Sequence, residues 1–512
     1  MPDRCALAID LGTTGLKVGI VSLRGHVLWT EDAQLTTELL PHGGAEQDAE
    51  VWWQLISAAT RRGVASGVVQ PEQIVAVSTT GQWASTVPVA ADGTPVGPCI
   101  LWMDRRGGRY VRKQIGGPVS GYDPRAIATW IRKTGGAPST SGADPIGHLL
   151  HIANDRPEIV SAARWYLEPV DYVSMRFTGE AYATHASMTG AWLTDNRHLD
   201  VLEYDEGLVR RAGVDASKLP PLRPTASQVG TVLDVVADDL GLPHGVAVIA
   251  GTPDLHAAAA GAGTLREFET HMALSTTSWI SCPVTSKKTD AIRQIATVPG
   301  VGSSGYLIAN NHETAGACLQ WLRDKVLTES TFDALIDRAA TSAPGAGNIV
   351  FTPWLAGERS PVDDPSARGG FHNLSLATTQ ADMVRAVLEG VAYNARWLHE
   401  AVEKFTKRRL EPIRFFGGGA QSDLWAQIHA DVMDRAIERL ADPIHVGLRG
   451  AALLAGIALG EIGPEDPHDL VEVDVTFTPD PANREVYDRL YDEVPKLYKA
   501  QKPMFKRLNR RR

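Results

Sequence analysis

Cysteine is scarce in this 512-residue chain. The four present, Cys5, Cys99, Cys282 and Cys318, are scattered through apolar or small-residue settings without Cys-x-x-Cys spacing. That excludes a disulfide scaffold and the common zinc patterns, and predicts reduced, mostly buried thiols in a cytoplasmic protein. Long apolar runs are missing too. No stretch approaches the roughly 20 apolar residues of a membrane span, and the N-terminus runs straight into a strand instead of a basic segment followed by an apolar one. No membrane partner is expected. Positive charge is in deficit: 50 Lys and Arg against 60 Asp and Glu leave a net charge of −10. This argues against a nucleic-acid partner, which needs a basic surface. The exception is the basic tail Lys506-Arg507-Leu508-Asn509-Arg510-Arg511-Arg512, which reads as a solvated chain end.

What is present is globular in character. Hydrophobic residues make up 44% and charged residues 21%, and the length suffices for two domains with separate cores. Near the N-terminus stands Ile9-Asp10-Leu11-Gly12-Thr13-Thr14-Gly15-Leu16-Lys17. Leu7 to Ile9 read as the end of one buried strand and Val18 to Val21 as the next, with glycines suited to the tight turn between them. An acid at the strand end can hold Mg²⁺ through oxygen, while hydroxyls and backbone N–H groups can bind phosphate. An ordinary glycine hairpin with a capping Asp fits the same residues.

Related pieces recur downstream. Residues 5–35 read as a three-strand meander turning at Arg24-Gly25, followed by a helix capped by Asp48 with Val51, Trp52, Leu55, Ile56 and Ala59 on one face. Short buried strands follow at Ile74–Ser78, at Pro98–Leu101 and at Val246–Ala250. Between them, about 125–222 reads as a helical insertion covering a substrate pocket. The second half repeats the theme with a hydroxyl-rich turn in Leu274-Ser275-Thr276-Thr277-Ser278-Trp279-Ile280 and a strand at Gly305–Asn310. Helices are expected at about 315–326 and 382–404. Strand Ile413–Phe416 then runs into Gly417-Gly418-Gly419 and a helix from Ser422 to Met433. Two α/β domains, 1–263 and 264–512, would enclose a cleft, the usual place for a ligand.

In this order the motifs resemble the sugar kinases of the FGGY family, within the actin-like ATPase superfamily, over roughly residues 5–460. Within that family the chain is most similar to the xylulokinases, with a glycerol kinase-like segment at Gly316-Ala317-Cys318-Leu319-Gln320-Trp321. The resemblance implies an α/β fold of two ribonuclease H-like domains, with ATP and Mg²⁺ required for activity. It places Mg²⁺ on Asp10 and the nucleotide on Gly12, Thr13, Thr14, Lys17, Thr276, Gly316, Gln320, Gly418 and Gly419. The catalytic carboxylate falls on Asp254, in Ala250-Gly251-Thr252-Pro253-Asp254, where Thr252 is expected to cap the helix and a dipole-complementing role is the plain alternative. Phe351 to Pro361, with its Gly-Glu-Arg, is expected to supply a structural ion pair. Asn373 stands where the family signature has glycine, and Ser275 where the phosphate turn does.

The substrate loop is Thr79-Thr80-Gly81-Gln82-Trp83-Ala84. It implies substrate contacts at Gln82 and Trp83, joined by Asp104 from Ile100-Leu101-Trp102-Met103-Asp104-Arg105-Arg106 and by Asp254 itself. Xylulokinases carry Gly-Gln-Met-His at this loop, so Trp83 and Ala84 change both hydroxyl-reading positions. D-Xylulose is the expected substrate; glycerol, a four-carbon polyol or another ketose remains open. A non-catalytic actin-like ATP-binding module is the alternative of another class, and the substrate-side residues argue against it. The expected partners are a small sugar or polyol and ATP/ADP, and the resemblance admits a homodimer.

Overall fold

The computed structural model describes residues 3–119, 121–301, 305–327 and 331–509. Arg510 to Arg512 of the basic tail lie outside the described residues. The chain opens with the meander β1 (Cys5–Leu11), β2 (Gly15–Ser22) and β3 (Val27–Gln34). Helix α1 (Ala49–Ala65) starts where the Asp48 carboxylate accepts from Glu50 N. Its inner stripe is Ala49, Trp52, Ile56, Ala59 and Gly63, and Val51 is exposed, one position off that 3.6-residue period. After it come β4 (Ile74–Gly81), α2 (Pro124–Thr134), α3 (Pro145–Asp155), α4 (Pro169–Thr178), β5 (Gln228–Thr231), β6 (Ala247–Pro253) and α5 (Asp254–Gly261).

The first sheet has the order β5-β6-β4-β1-β2-β3. Its central strand β4 runs parallel to both β1 and β6, and Leu11 and Pro253 both pair with Gly81. Three carboxyl ends therefore meet at one edge. Residues 125–222 are not one insertion. Trp130, Ile146, Leu193 and Leu208 build a separate core, whereas Tyr172, Val173, Met175 and Phe177 of α4 belong to the core under the first sheet. Helix α4 is buried almost all round, which erases the one-sided apolar stripe that would mark it as a sheet helix.

The second half runs β7 (Thr270–Leu274), β8 (Ser278–Ser281), α6 (Gly316–Trp321), α7 (Gln380–Thr406), β9 (Ile413–Phe416), α8 (Asp423–Met433), β10 (Ile437–Leu440), α9 (Val446–Ala458), β11 (Val473–Phe477) and α10 (Glu493–Leu508). Its sheet order is β8-β7-β9-β10-β11, with β7, β9 and β10 parallel. A hairpin followed by parallel strands thus appears twice. The expected 315–326 helix splits into α6 and a π turn over Leu322–Leu327. Helix α7 begins slightly earlier than expected because Thr379 and Asp382 form a capping box. Asn373 takes a left-handed φ of 67°, the conformation glycine would supply.

The two halves interlock through α5 and α9. Leu255 and Ala258 to Ala260 of α5 join Ala273, Phe416 and Leu440 of the second sheet. Leu448, Ala451, Ala452 and Ala455 of α9 pack on Ala6, Ala8, Ala76 and Ile249 of the first. A Cβ on Gly450 would sit 1.8 Å from the Ala257 carbonyl oxygen, so the small residues of this region admit backbone against backbone.

Candidate active site

The site starts at the joined carboxyl ends of β1, β4 and β6, where open α/β sheets place ligands. Asp10 pairs across to Thr80, and Thr80 to Thr252, two strand spacings or about 10 Å across the sheet. Past that edge stand the 12–14 turn, Gln82-Trp83 and Asp254. Thr252 lies within strand β6 and does not cap α5; Pro253 ends the strand and holds the cap position, and Asp254 opens the helix.

Asp254 is partly buried, and its Oδ1 accepts from Leu255 N at 2.7 Å. Burial pushes its carboxyl up to about 7, the Leu255 N–H opposes that, and the charge of Asp10 adds to the rise. Asp10 is itself raised, first by burial, with Lys17 and His445 pulling against it and Asp32 pushing with it. No hydrogen bond to the Asp10 carboxylate occurs among the described residues, and its Oδ2 lies against Gly447 at the start of α9, where a Cβ would approach to 2.4 Å. A carboxylate without a hydrogen-bond donor among the described residues has the oxygen chemistry that a hard cation would take. Among the described residues no group of three or more His, Cys, Asp or Glu forms a metal cage, so protein and phosphate would have to share the ligands of a Mg²⁺ ion.

The turn after β1 reaches the 79–84 loop directly. Thr13 Oγ1 donates to Gln82 Oε1 at 3.2 Å and accepts from Trp102 Nε1 at 3.1 Å, and its carbonyl accepts from Gln47 Nε2 at 2.7 Å. Gln82 is 5% exposed and its Nε2 has no partner among the described residues. Trp83 is half-buried and belongs to none of the apolar clusters. Ala84 has φ of 58°, and a Cβ on Gly190 would come within 2.8 Å of its own Cβ. Trp102 and Gln47 are residues the sequence does not flag. Trp102 lies inside a motif read for Asp104, and Gln47 has no local signal at all.

One expectation fails here. Asp104 is 1% exposed, with Oδ2 accepting from Ala45 N, Oδ1 from Arg106 N, and the Arg106 guanidinium 2.7 Å from Oδ2. Its acceptor capacity is spent inside the protein, where it builds the loop instead of reading a substrate hydroxyl. Lys17 Nζ donates one of its three N–H groups to the Ile444 carbonyl at 3.0 Å, a bridge between the halves.

On the other half, the 275–277 turn and the glycine turn adjoin at the ends of β7 and β9. Gly417 has φ of 99°, lies against the Leu274 carbonyl, and donates to Pro443 O at 2.8 Å, just before the segment that meets Asp10. A Cβ on Gly419 would strike Leu274, while one on Gly418 would meet nothing within 4 Å. Thr276 is exposed, and its carbonyl accepts from Ala315 N at 2.8 Å; Gly316 N donates to Ser275 O at 2.7 Å. Gly316 therefore seats α6 on the hydroxyl turn, where a Cβ would lie 2.3 Å from Ser275 O. Gln320 is exposed one turn further along α6. The Gly-Glu-Arg segment makes its ion pair through Arg359, which meets Glu313 at 3.0 Å; Glu358 is buried, and among the described residues no cation pairs with it. All four cysteines are free and buried, and among the described residues no helix is long and apolar enough to cross a membrane.

Residues 5–261 match the model of the N-terminal domain of the FGGY family of carbohydrate kinases, and residues 270–459 that of its C-terminal domain. A xylulose kinase of Staphylococcus epidermidis is 27% identical over 510 residues, covering 98% of each chain. A gluconokinase of Bacillus subtilis is 25% identical, covering 98% of this chain and 95% of its own. The solved structure of a xylulose kinase from Rhodospirillum rubrum superposes with a TM-score of 0.84 at 27% identity, over 98% of this chain and all of that one.

Proposed function

The chain belongs to the FGGY family of carbohydrate kinases, and from that membership we propose that it transfers the γ-phosphoryl group of ATP to a hydroxyl of D-xylulose. The observation that carries the chemistry is Asp254, a carboxyl with a pKa of about 7 at the meeting of three strand ends, beside a second acid that accepts no hydrogen bond among the described residues. A general base works best with a pKa near the operating pH. In the proposed step the Asp254 carboxylate takes the proton of the substrate hydroxyl. That oxygen bonds to the γ-phosphorus, the bond to the β-bridging oxygen breaks, and ADP leaves with the electron pair.

Asp10 would hold Mg²⁺, which supplies charge neutralisation on the phosphates when bound. Gly12, Thr13, Thr14 and Thr276 offer N–H and hydroxyl groups to phosphate oxygens, and Gly316, Gly418 and Gly419 allow close approach of the nucleotide. Gln82 supports the substrate assignment through its unpartnered Nε2, a donor suited to a sugar oxygen.

The substrate rests on relatives named xylulose kinase. Another ketose, a polyol or a sugar acid is the second reading, favoured by the apolar Trp83-Ala84 pair and by the relative named gluconokinase. An ADP-release screen over ketoses, polyols and aldonates tests both. Highest kcat/KM on D-xylulose supports the first, and preference for another acceptor replaces it.

A further inference from the structure

We propose that Glu358 is a positioning residue for the nucleotide side of the site, acting through the strap 311–316. The inference rests on the reading that ATP binds at the 275–277 turn and Gly316. Glu358 is 1% exposed. Its Oε1 accepts from Glu313 N at 3.1 Å and Arg359 N at 2.9 Å, and its Oε2 from Asn394 Nδ2 at 2.6 Å on helix α7. Every partner is a donor, so the carboxyl acts as a knot joining the 358–359 loop, the strap and the longest helix of the second half.

The strap in turn holds the hydroxyl turn. His312 N donates to Ser278 O at 2.8 Å, Ala315 N to Thr276 O, and Gly316 N to Ser275 O. Thr314 Oγ1 ties the same strap to the Pro353 carbonyl, and Ser360 N donates to Asn311 O at 3.1 Å. Released at Glu313, the strap loses one of the bonds that fix where Ser275 and Thr276 stand. Asn394 cannot rotate its amide to compensate, because its Oδ1 accepts from Trp354 Nε1 at 3.3 Å.

The test follows from that donor pattern. Glu358→Gln turns an NH₂ towards the NH₂ of Asn394. Adding Asn394→Asp restores an acceptor there and keeps one for Trp354, with net charge unchanged. Steady-state kinetics and ATP titration of the full chain should show KM and Kd for ATP raised about tenfold in the single variant, with the sugar KM within about twofold. The double variant should return to within about threefold of wild type. Thr314→Val, a milder cut of the same strap, should raise the ATP KM about threefold and serves if Glu358→Gln does not fold. Unchanged ATP affinity, equal loss for both substrates, or no recovery in the double variant would overturn the proposal. A wild-type chain that fails to bind ATP would instead overturn the kinase reading on which it rests.

Discussion

Replacing Asp254 by Asn should destroy turnover and stabilise the protein at the same time. The amide keeps an oxygen for the Leu255 N–H but cannot take a proton. Loss of a general base reduces kcat by about 10²–10⁴-fold or more. The stability effect has a definite sign. The carboxyl sits at about 7 in the folded chain against 3.8 as its ordinary value, so the folded state binds the proton more tightly than the unfolded one. Wild-type stability is therefore unaffected by this group below pH 4, declines as pH rises, and stops declining once pH passes 7. Three pH units correspond to about 4 kcal/mol as an upper limit, and partial exposure reduces that to about 2 kcal/mol. Melting curves from pH 4 to 9 should show Asp254→Asn gaining a few degrees over wild type by pH 8 and nothing near pH 4. Wild-type kcat/KM should climb to a plateau through a single pKa near 7. A melting difference independent of pH, or a less stable variant at pH 8, would refute the reasoning, as would wild-type turnover in the variant.

Asp10→Ala should abolish Mg²⁺-dependent turnover while leaving sugar binding by calorimetry within about threefold of wild type, since the hydrogen bonds that hold Gln82 run to Thr13 and Leu11 and not to this carboxylate. The three glycines should separate: Gly418→Ala should keep the wild-type melting temperature yet weaken ATP binding, whereas Gly417→Ala and Gly419→Ala should destabilise by about 1–3 kcal/mol in thermal melts. Exchanging Trp83 and Ala84 for Met and His should move the substrate ranking towards D-xylulose with little change in ATP KM. Ala84 stands at positive φ, where His is better tolerated, and an unchanged ranking would return specificity to other pocket residues.

The fold is legible wherever local chemistry and tertiary packing agree. The meander, the Asp48 cap, the Ile413–Phe416 strand and the Ser422 cap stand as their residues imply. Helix α4 hides because polar Asp171 and Ser174 are buried among its apolar residues, so its pattern lacks the one-sided apolar stripe that marks a sheet helix. Within the site, strand-end motifs point to Asp10, Thr13, Gln82 and Asp254, and sheet register brings them to one edge. Asp104 looks equally available in sequence. Only the three-dimensional arrangement shows that Arg106 and Ala45 already occupy it. The ion pair expected of the Gly-Glu-Arg segment is made by Arg359 with Glu313, a partner distant in sequence that the local motif does not name.

The central claim is that Asp254 activates a sugar hydroxyl towards ATP, and product analysis tests it most directly. Purified chain, Mg²⁺, ATP and D-xylulose should give ADP and a monophosphorylated sugar in equal amounts by mass spectrometry, with neither formed by Asp254→Asn under the same conditions. ADP released without a phosphorylated sugar, or phosphorylated sugar formed at the wild-type rate by Asp254→Asn, would contradict it.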